Sequence, residues 1–292
     1  MPWVNQGLRG RWGGSFNNDC ILMIFSVRLD ETGTDGRSQY TIVGGAVATV
    51  DQWEALEAAW GRLLKTSNIE AYHWKEFNDP NDNVFGKWSE FKRKRFVEKQ
   101  EKIVKKNSLF RVSVGVEDAV HADIKRRMKG IRGFSPESDY SLSLRYLMFA
   151  TCEQLVTIDP ECRLRVMIED GPWAAGAMAT YQRVARMTGP WKPAKHAHRL
   201  AGFVSVPKGE RLSLEAADYL VGSEQVRMLA ERRPKKGAET LSLLMTGPIL
   251  EQWYEGMIKE KEARRNYARD NQQKRKLTRP PGQAEPNGSR QN

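Results

Sequence analysis

Long apolar runs are missing from this chain of 292 residues. Nothing in it approaches the roughly 20 consecutive apolar residues that span a bilayer, and the longest run, Cys20 to Phe25, reads as a strand. No membrane partner is expected. Cysteine is scarce as well. Cys20, Cys152 and Cys162 are the only three, too few and too scattered for a disulfide framework or a zinc knuckle. A reducing, cytoplasmic setting is the matching expectation. The opening Met1-Pro2-Trp3-Val4-Asn5-Gln6 lacks the charged-then-apolar order of a secretion signal. No segment repeats another.

What is present is core material and positive charge. Hydrophobic residues make up 40% of the chain and aromatic ones 9%, enough to exclude general disorder. The formal net charge is +11, and it is concentrated in two places. Lys87 to Lys106 carries nine Lys/Arg against three Glu, and Lys259 to the end carries ten Lys/Arg against four Asp/Glu. The rest is close to neutral. A partner rich in phosphates answers such clusters, because every phosphate neutralised releases a counterion. Nucleic acid held by the basic helix of residues 87–106 and by the C-terminal tail is therefore expected; a solvated basic face is the alternative.

The pattern along the chain predicts one α/β domain over residues 20–263, between an N-terminal extension (1–19) and a basic disordered tail (264–292). Residues 21–29 are apolar on both parities, as in a central strand covered on both faces. A turn-forming stretch, residues 30–36, leads into a second strand at 40–47, so an antiparallel hairpin is expected. Asp51, with Glu54 three residues on, predicts a capped helix to about residue 65. The basic helix follows, with Trp88, Phe91, Phe96, Ile103 and Val104 inward. Strands are predicted at 109–116, 163–170 and 200–206. Helices are predicted at 119–129, 139–156 and 173–187, at 213–231 with Ser213 as cap, and at 239–262. The sum is a mixed five-stranded sheet with helices on both faces.

Acidic residues mark the ends of these elements. Asp30 ends the first strand and Glu31 follows it; Asp170 ends the fourth, after Glu169. Glu215 and Asp218 share one face of a helix, at i and i+3. Ligands of open α/β sheets gather beyond the carboxyl ends of strands. If the first and fourth strands are parallel neighbours, Asp30 and Asp170 point to one place and the Glu215/Asp218 face closes over it. Gathered carboxylates repel, and a divalent cation relieves the repulsion; hard oxygen donors suit Mg²⁺ or Mn²⁺. Two such ions can activate a water and stabilise a leaving oxygen in phosphoryl displacement. Each acid taken alone also reads as a turn residue or as an answer to a helix dipole. His73, between Tyr72 and Trp74 with Glu76 beyond, reads as a proton shuttle or leaving-group acid, or equally as a structural histidine. His196 and His198 lie in a basic loop suited to phosphate. Trp3, Trp12 and Trp191 fall in irregular segments where stacking on bases is conceivable.

Asp30-Glu31-Thr32-Gly33 resembles the DES-G signature of the bacterial family called domain of unknown function 3800. Leu214-Glu215-Ala216-Ala217-Asp218 resembles its L-Q-x-A-D signature, and residues 72–76 and 168–170 also resemble features of that family. The resemblance spans about residues 21–230. It implies a ribonuclease H-like fold with extra helical insertions and an acidic, metal-dependent nuclease site. Asp30, Glu31 and Asp218 match its motifs. Glu215 stands where the family has Gln, which adds a ligand or alters the site, and Thr32 stands for Ser and keeps the hydroxyl. The resulting expectation is a metal-dependent phosphodiesterase acting on nucleic acid. Asp30, Asp170, Asp218 and Glu215 are its metal ligands, and Glu31 and His73 complete the catalytic set. Two alternatives stay open: an inactive nucleic-acid-binding protein, and a hydrolase of small phosphorylated molecules.

Overall fold

A computed structural model describes residues 23–34, 38–187, 195–231, 236–237 and 240–277. Nine residues from Ile24 to Thr32 form β1, and Tyr40–Ala48 forms β2. They pair antiparallel, with Asp30 opposite Gly44, as the short connection requires. Helix α1 (Val50–Ser67) follows. Its cap is Thr49 rather than Asp51: the Thr49 hydroxyl accepts from the Gln52 N–H at 3.3 Å, and the Gln52 side chain returns to the Thr49 N–H at 3.0 Å. The capping box is real but starts two residues earlier than the acidic residue suggested.

Next come the short α2 (Trp74–Asn78), α3 (Glu90–Asn107), β3 (Phe110–Glu117), α4 (Asp118–Arg127) and α5 (Asp139–Ile158). Strand β4 (Arg163–Glu169), α6 (Ala174–Ala185) and β5 (Leu200–Val206) lead to α7 (Leu212–Glu231). A two-residue β6 (Lys236–Gly237), β7 (Thr240–Met245) and α8 (Gly247–Leu277) close the described chain. The sheet therefore has seven strands, in the order β5-β4-β1-β2-β3-β7-β6, instead of the five expected. β7 was hidden inside a stretch read as helix; Thr240–Met245 alternates only weakly and runs parallel to β3. Helix α8 continues to Leu277, so the segment from 264 is helical that far, where a disordered tail was expected.

β1, β4 and β5 are parallel, and β1, β2 and β3 form an antiparallel meander. Alternation divides each strand between two layers. Phe25, Val27 and Leu29 of β1, with Leu164, Val166 and Ile168 of β4, join α5 and α8 in the larger core. The opposite face of β1 meets α1 and α7. There the Arg28 guanidinium, over the Trp53 ring, pairs with Glu57 and donates to the Ser213 hydroxyl. Ser213 thus anchors the start of α7 to the sheet, a different job from the helix cap expected of it. A second, aromatic core (Trp53, Trp60, Tyr72, Phe77, Phe85, Phe96) joins α1, α2, α3 and α7. Phe91 stays outside it, 68% exposed, against the expectation. Among the described residues no helix is long and apolar enough to cross a membrane.

Candidate functional site

A cleft of about 260 Å³ opens at the carboxyl ends of β1 and β4, lined by Asp30, His73, Lys75, Glu76, Glu169, Lys208, Leu214, Glu215 and Asp218. Four separated parts of the chain supply its acids: β1, α2, β4 and α7. Asp30 is on the face of β1 that meets α7, the parity shared with Arg28. In the parallel register Arg28 pairs with Met167 and Leu29 with Ile168, which carries Asp30 alongside Glu169. Side chains at paired positions of neighbouring strands share a face, so these two carboxylates stand side by side.

Asp170, expected as the fourth-strand ligand, is placed elsewhere. It lies one residue beyond β4, exposed, and its carboxylate accepts from the Gly171 N–H at 3.1 Å while its own N–H donates to the Val206 carbonyl at 2.7 Å. It is a turn residue, and Glu169 takes the place expected for it. The missed signal is parity: Leu164, Val166 and Ile168 are buried in the core, so Glu169 belongs to the other face.

α7 brings Glu215 and Asp218 to the cleft one turn apart. Both also hold the chain before α2. The Glu215 Oε2 accepts from the Trp60 indole N–H and from the Tyr72 backbone N–H, each at 3.1 Å. The Asp218 Oδ2 accepts from the Trp74 N–H at 2.8 Å. An extended segment repeats its direction every second residue, so residues 72 and 74 dock onto acids spaced by one helical turn. His73 between them lies with its Nδ1 3.8 Å from Asp218 Oδ2. The resulting frame is firm: the Trp74 indole covers Gly222 so closely that a Cβ there would collide with it.

Electrostatics follow from the crowding. Burial, then Asp218, Glu31 and Glu169, push the Asp30 carboxyl well above its ordinary range. Glu31 is on the other parity, yet burial and the charges of Glu169 and Asp218 push it up to about 7. Burial also raises Glu215, against the two hydrogen bonds that favour its charged form. Asp218 raises His73, opposed by burial and by the Lys208 ammonium. The Thr32 hydroxyl donates to Gln225 of α7 at 3.1 Å, joining β1 to the same helix.

Of the residues expected from sequence, Asp30, His73, Glu215 and Asp218 line the cleft, Glu31 borders it, and Asp170 does not reach it. Glu169, Glu76, Lys75 and Lys208 join them. His196 precedes and His198 lies within a short helical turn (Ala197–Arg199) before β5, and neither lines the cleft. Trp3, Trp12 and Trp191 lie outside the described residues. The donor set, carboxylate oxygens without thiolates, suits a hard divalent cation. Among the described residues, however, no three His, Cys, Asp or Glu side chains already stand close enough to hold one together. Glu215 Oε2 already accepts two hydrogen bonds, leaving Oε1 to face a cation, whereas Asp218 Oδ2 accepts one and keeps a lone pair. No protein-family model matches the chain, and no curated protein matches it.

Proposed function

We propose that the cleft performs metal-dependent hydrolysis of phosphodiester bonds in nucleic acid. The observation that carries this reading is the convergence of Asp30, Glu169, Glu215 and Asp218, from β1, β4 and α7, on one cleft at the ends of parallel strands. Asp30, Glu169 and Asp218, with the second oxygen of Glu215, would hold Mg²⁺ or Mn²⁺. A bound ion of this kind would supply an activated water and charge stabilisation of the departing oxygen. His73, beside Asp218, is placed to pass a proton to that oxygen. Glu215 braces the Tyr72 backbone that positions the histidine. The antiparallel meander β1–β3 with parallel β4 and β5 supports assigning the fold to the ribonuclease H-like class. So does the likeness of residues 30–33 and 214–218 to the motifs of domain of unknown function 3800.

The test is cleavage of labelled DNA and RNA in Mn²⁺ by the wild type and by Asp30→Asn and Asp218→Asn. Both variants should lose at least a hundredfold in rate, about 2.7 kcal/mol of barrier, with an unchanged circular dichroism spectrum. Cleavage at wild-type rate in both variants would remove the proposal. A second reading, a nucleic-acid-binding protein with an inactive site, is favoured by the absence of a preformed three-residue metal set among the described residues. It expects tight, salt-dependent binding and no cutting with any divalent metal.

A further inference from the structure

Two lysines of the acidic cleft make no ion pair with its carboxylates. Lys75 and Lys208 line the same opening as Asp30, Glu169, Glu215 and Asp218, yet neither ammonium is within ion-pairing distance of an acid among the described residues. Both side chains are exposed. They come from different elements, α2 and the turn between β5 and α7, and each is presented by a fixed piece of backbone. Lys75 opens α2, and its neighbour Trp74 is pinned by its N–H to Asp218. Lys208 sits in the turn between β5 and α7. There the Glu210 N–H donates to the Pro207 carbonyl at 3.2 Å and Gly209 has φ +79. That geometry fits a type II turn with Lys208 at its second position, which requires a glycine after it.

A cleft with this many carboxylates repels an incoming phosphate unless cations flank the acids. A divalent ion among the carboxylates would meet the charge of the phosphate being cut. Two ammonium groups on different elements at the rim of the cleft could meet further charges along the same chain. We infer that Lys75 and Lys208 form a two-point clamp on the phosphates flanking the scissile one, so that the substrate is an oligonucleotide chain rather than an isolated phosphoester. This rests on the phosphodiesterase reading of the cleft and names the substrate class within it.

Lys75→Gln, Lys208→Gln and the double variant test the clamp. Affinity for a fluorescein-labelled single-stranded oligonucleotide is measured by anisotropy across a salt series, with Ca²⁺ as the only divalent ion. Each lost phosphate contact should lower the slope of log K against log salt by about 0.7, and the pair by about 1.4. In Mn²⁺, KM for the same oligonucleotide should rise about tenfold for each substitution, as the loss of 1.4 kcal/mol of binding gives. A double variant with the wild-type slope overturns the clamp, and so does a wild type that fails to bind the oligonucleotide. The two readings fail separately. Falling slopes with no cleavage by the wild type in Mn²⁺ keep the clamp and sink the phosphodiesterase. Cleavage by the wild type with unmoved slopes does the reverse.

Discussion

Glu31 is where the cost of gathering acids is most easily read. Half-buried and acted on by the charges of Glu169 and Asp218, it holds a proton up to about pH 7, against an ordinary value of 4.5. A carboxyl raised on folding binds more protons in the native state than in the unfolded chain, so stability falls as pH rises through the window. The contribution is fully present below about 4.5 and gone above about 7. Asp30 acts in the same direction. In EDTA, the melting temperature of the wild type relative to Glu31→Gln should therefore decline from pH 4.5 to 7 and level off above it. A difference that grows with pH would contradict the assignment. Added Mn²⁺ should release protons in this range, because a cation binds the carboxylates in their charged form. At the same scale lies the limit of the sequence. Asp30 and Asp218 were legible because one follows a long apolar run into a turn-forming stretch and the other shares a helix face with Glu215 at i and i+3. The choice between Glu169 and Asp170 turns on a single residue of parity at a strand end, where alternation has only one neighbour left to check it. Lys75 and Lys208 were illegible because exposed lysines are common and only the folded chain shows which two face one cleft.

Among the elements, α7 has the widest responsibility: it carries Glu215 and Asp218, receives Thr32 from β1, and is tied down at its start by Arg28 and Ser213. Gly222 gives it a flat face on which the Trp74 indole rests. Substituting Gly222→Ala has two opposed effects. Alanine favours the helix by about 1 kcal/mol over glycine, but its Cβ would enter a bulky ring that other aromatic side chains hem in, an overpacking cost of about 1–3 kcal/mol. Overpacking should win, with a net loss of roughly 1 kcal/mol read from urea midpoints. Displacement of Trp74 should also weaken its N–H bond to Asp218 and lower any metal-dependent cleavage. A more stable variant with intact activity would show that the indole is free to move. The elements also divide by legibility. β1, β2 and β4 announced themselves through long β-branched and apolar runs, and the parallel β1–β4 pairing, a condition for the acids to meet, is what the structure shows. β7 was lost because Thr240–Met245 is half-buried and short, pairing only with β3 and a two-residue strand. Its strand state comes from the sheet edge it joins, not from its own pattern.

For the molecule as a whole, charge is distributed against the cleft it serves. The cleft is acidic, while α3 shows Lys92, Lys94, Arg95, Lys99 and Lys102 exposed along one side. Two of these cations lie on aromatic rings, Lys92 over Trp88 at 3.8 Å and Arg95 over Phe91 at 5.6 Å, which fixes them near the surface. Arg93 turns the other way and donates to the Phe77 and Phe85 carbonyls, binding α3 to the end of α2. A polyanion would meet these exposed cations on α3, a helix that Arg93 ties to α2, the element carrying Lys75. Such contacts hold a phosphate backbone without reading its sequence, so their removal should weaken binding to all sequences alike. Replacing Lys94, Lys99 and Lys102 together by Glu should change the unfolding free energy by no more than about 0.5 kcal/mol per exposed position. The same change should cut affinity for single-stranded oligonucleotides of any composition and lower the salt slope by about 2, at roughly 0.7 per contact. Equal affinity and slope in the triple variant would remove α3 from the binding surface. The control Lys65→Glu, exposed on α1 beside a different opening, should change neither quantity.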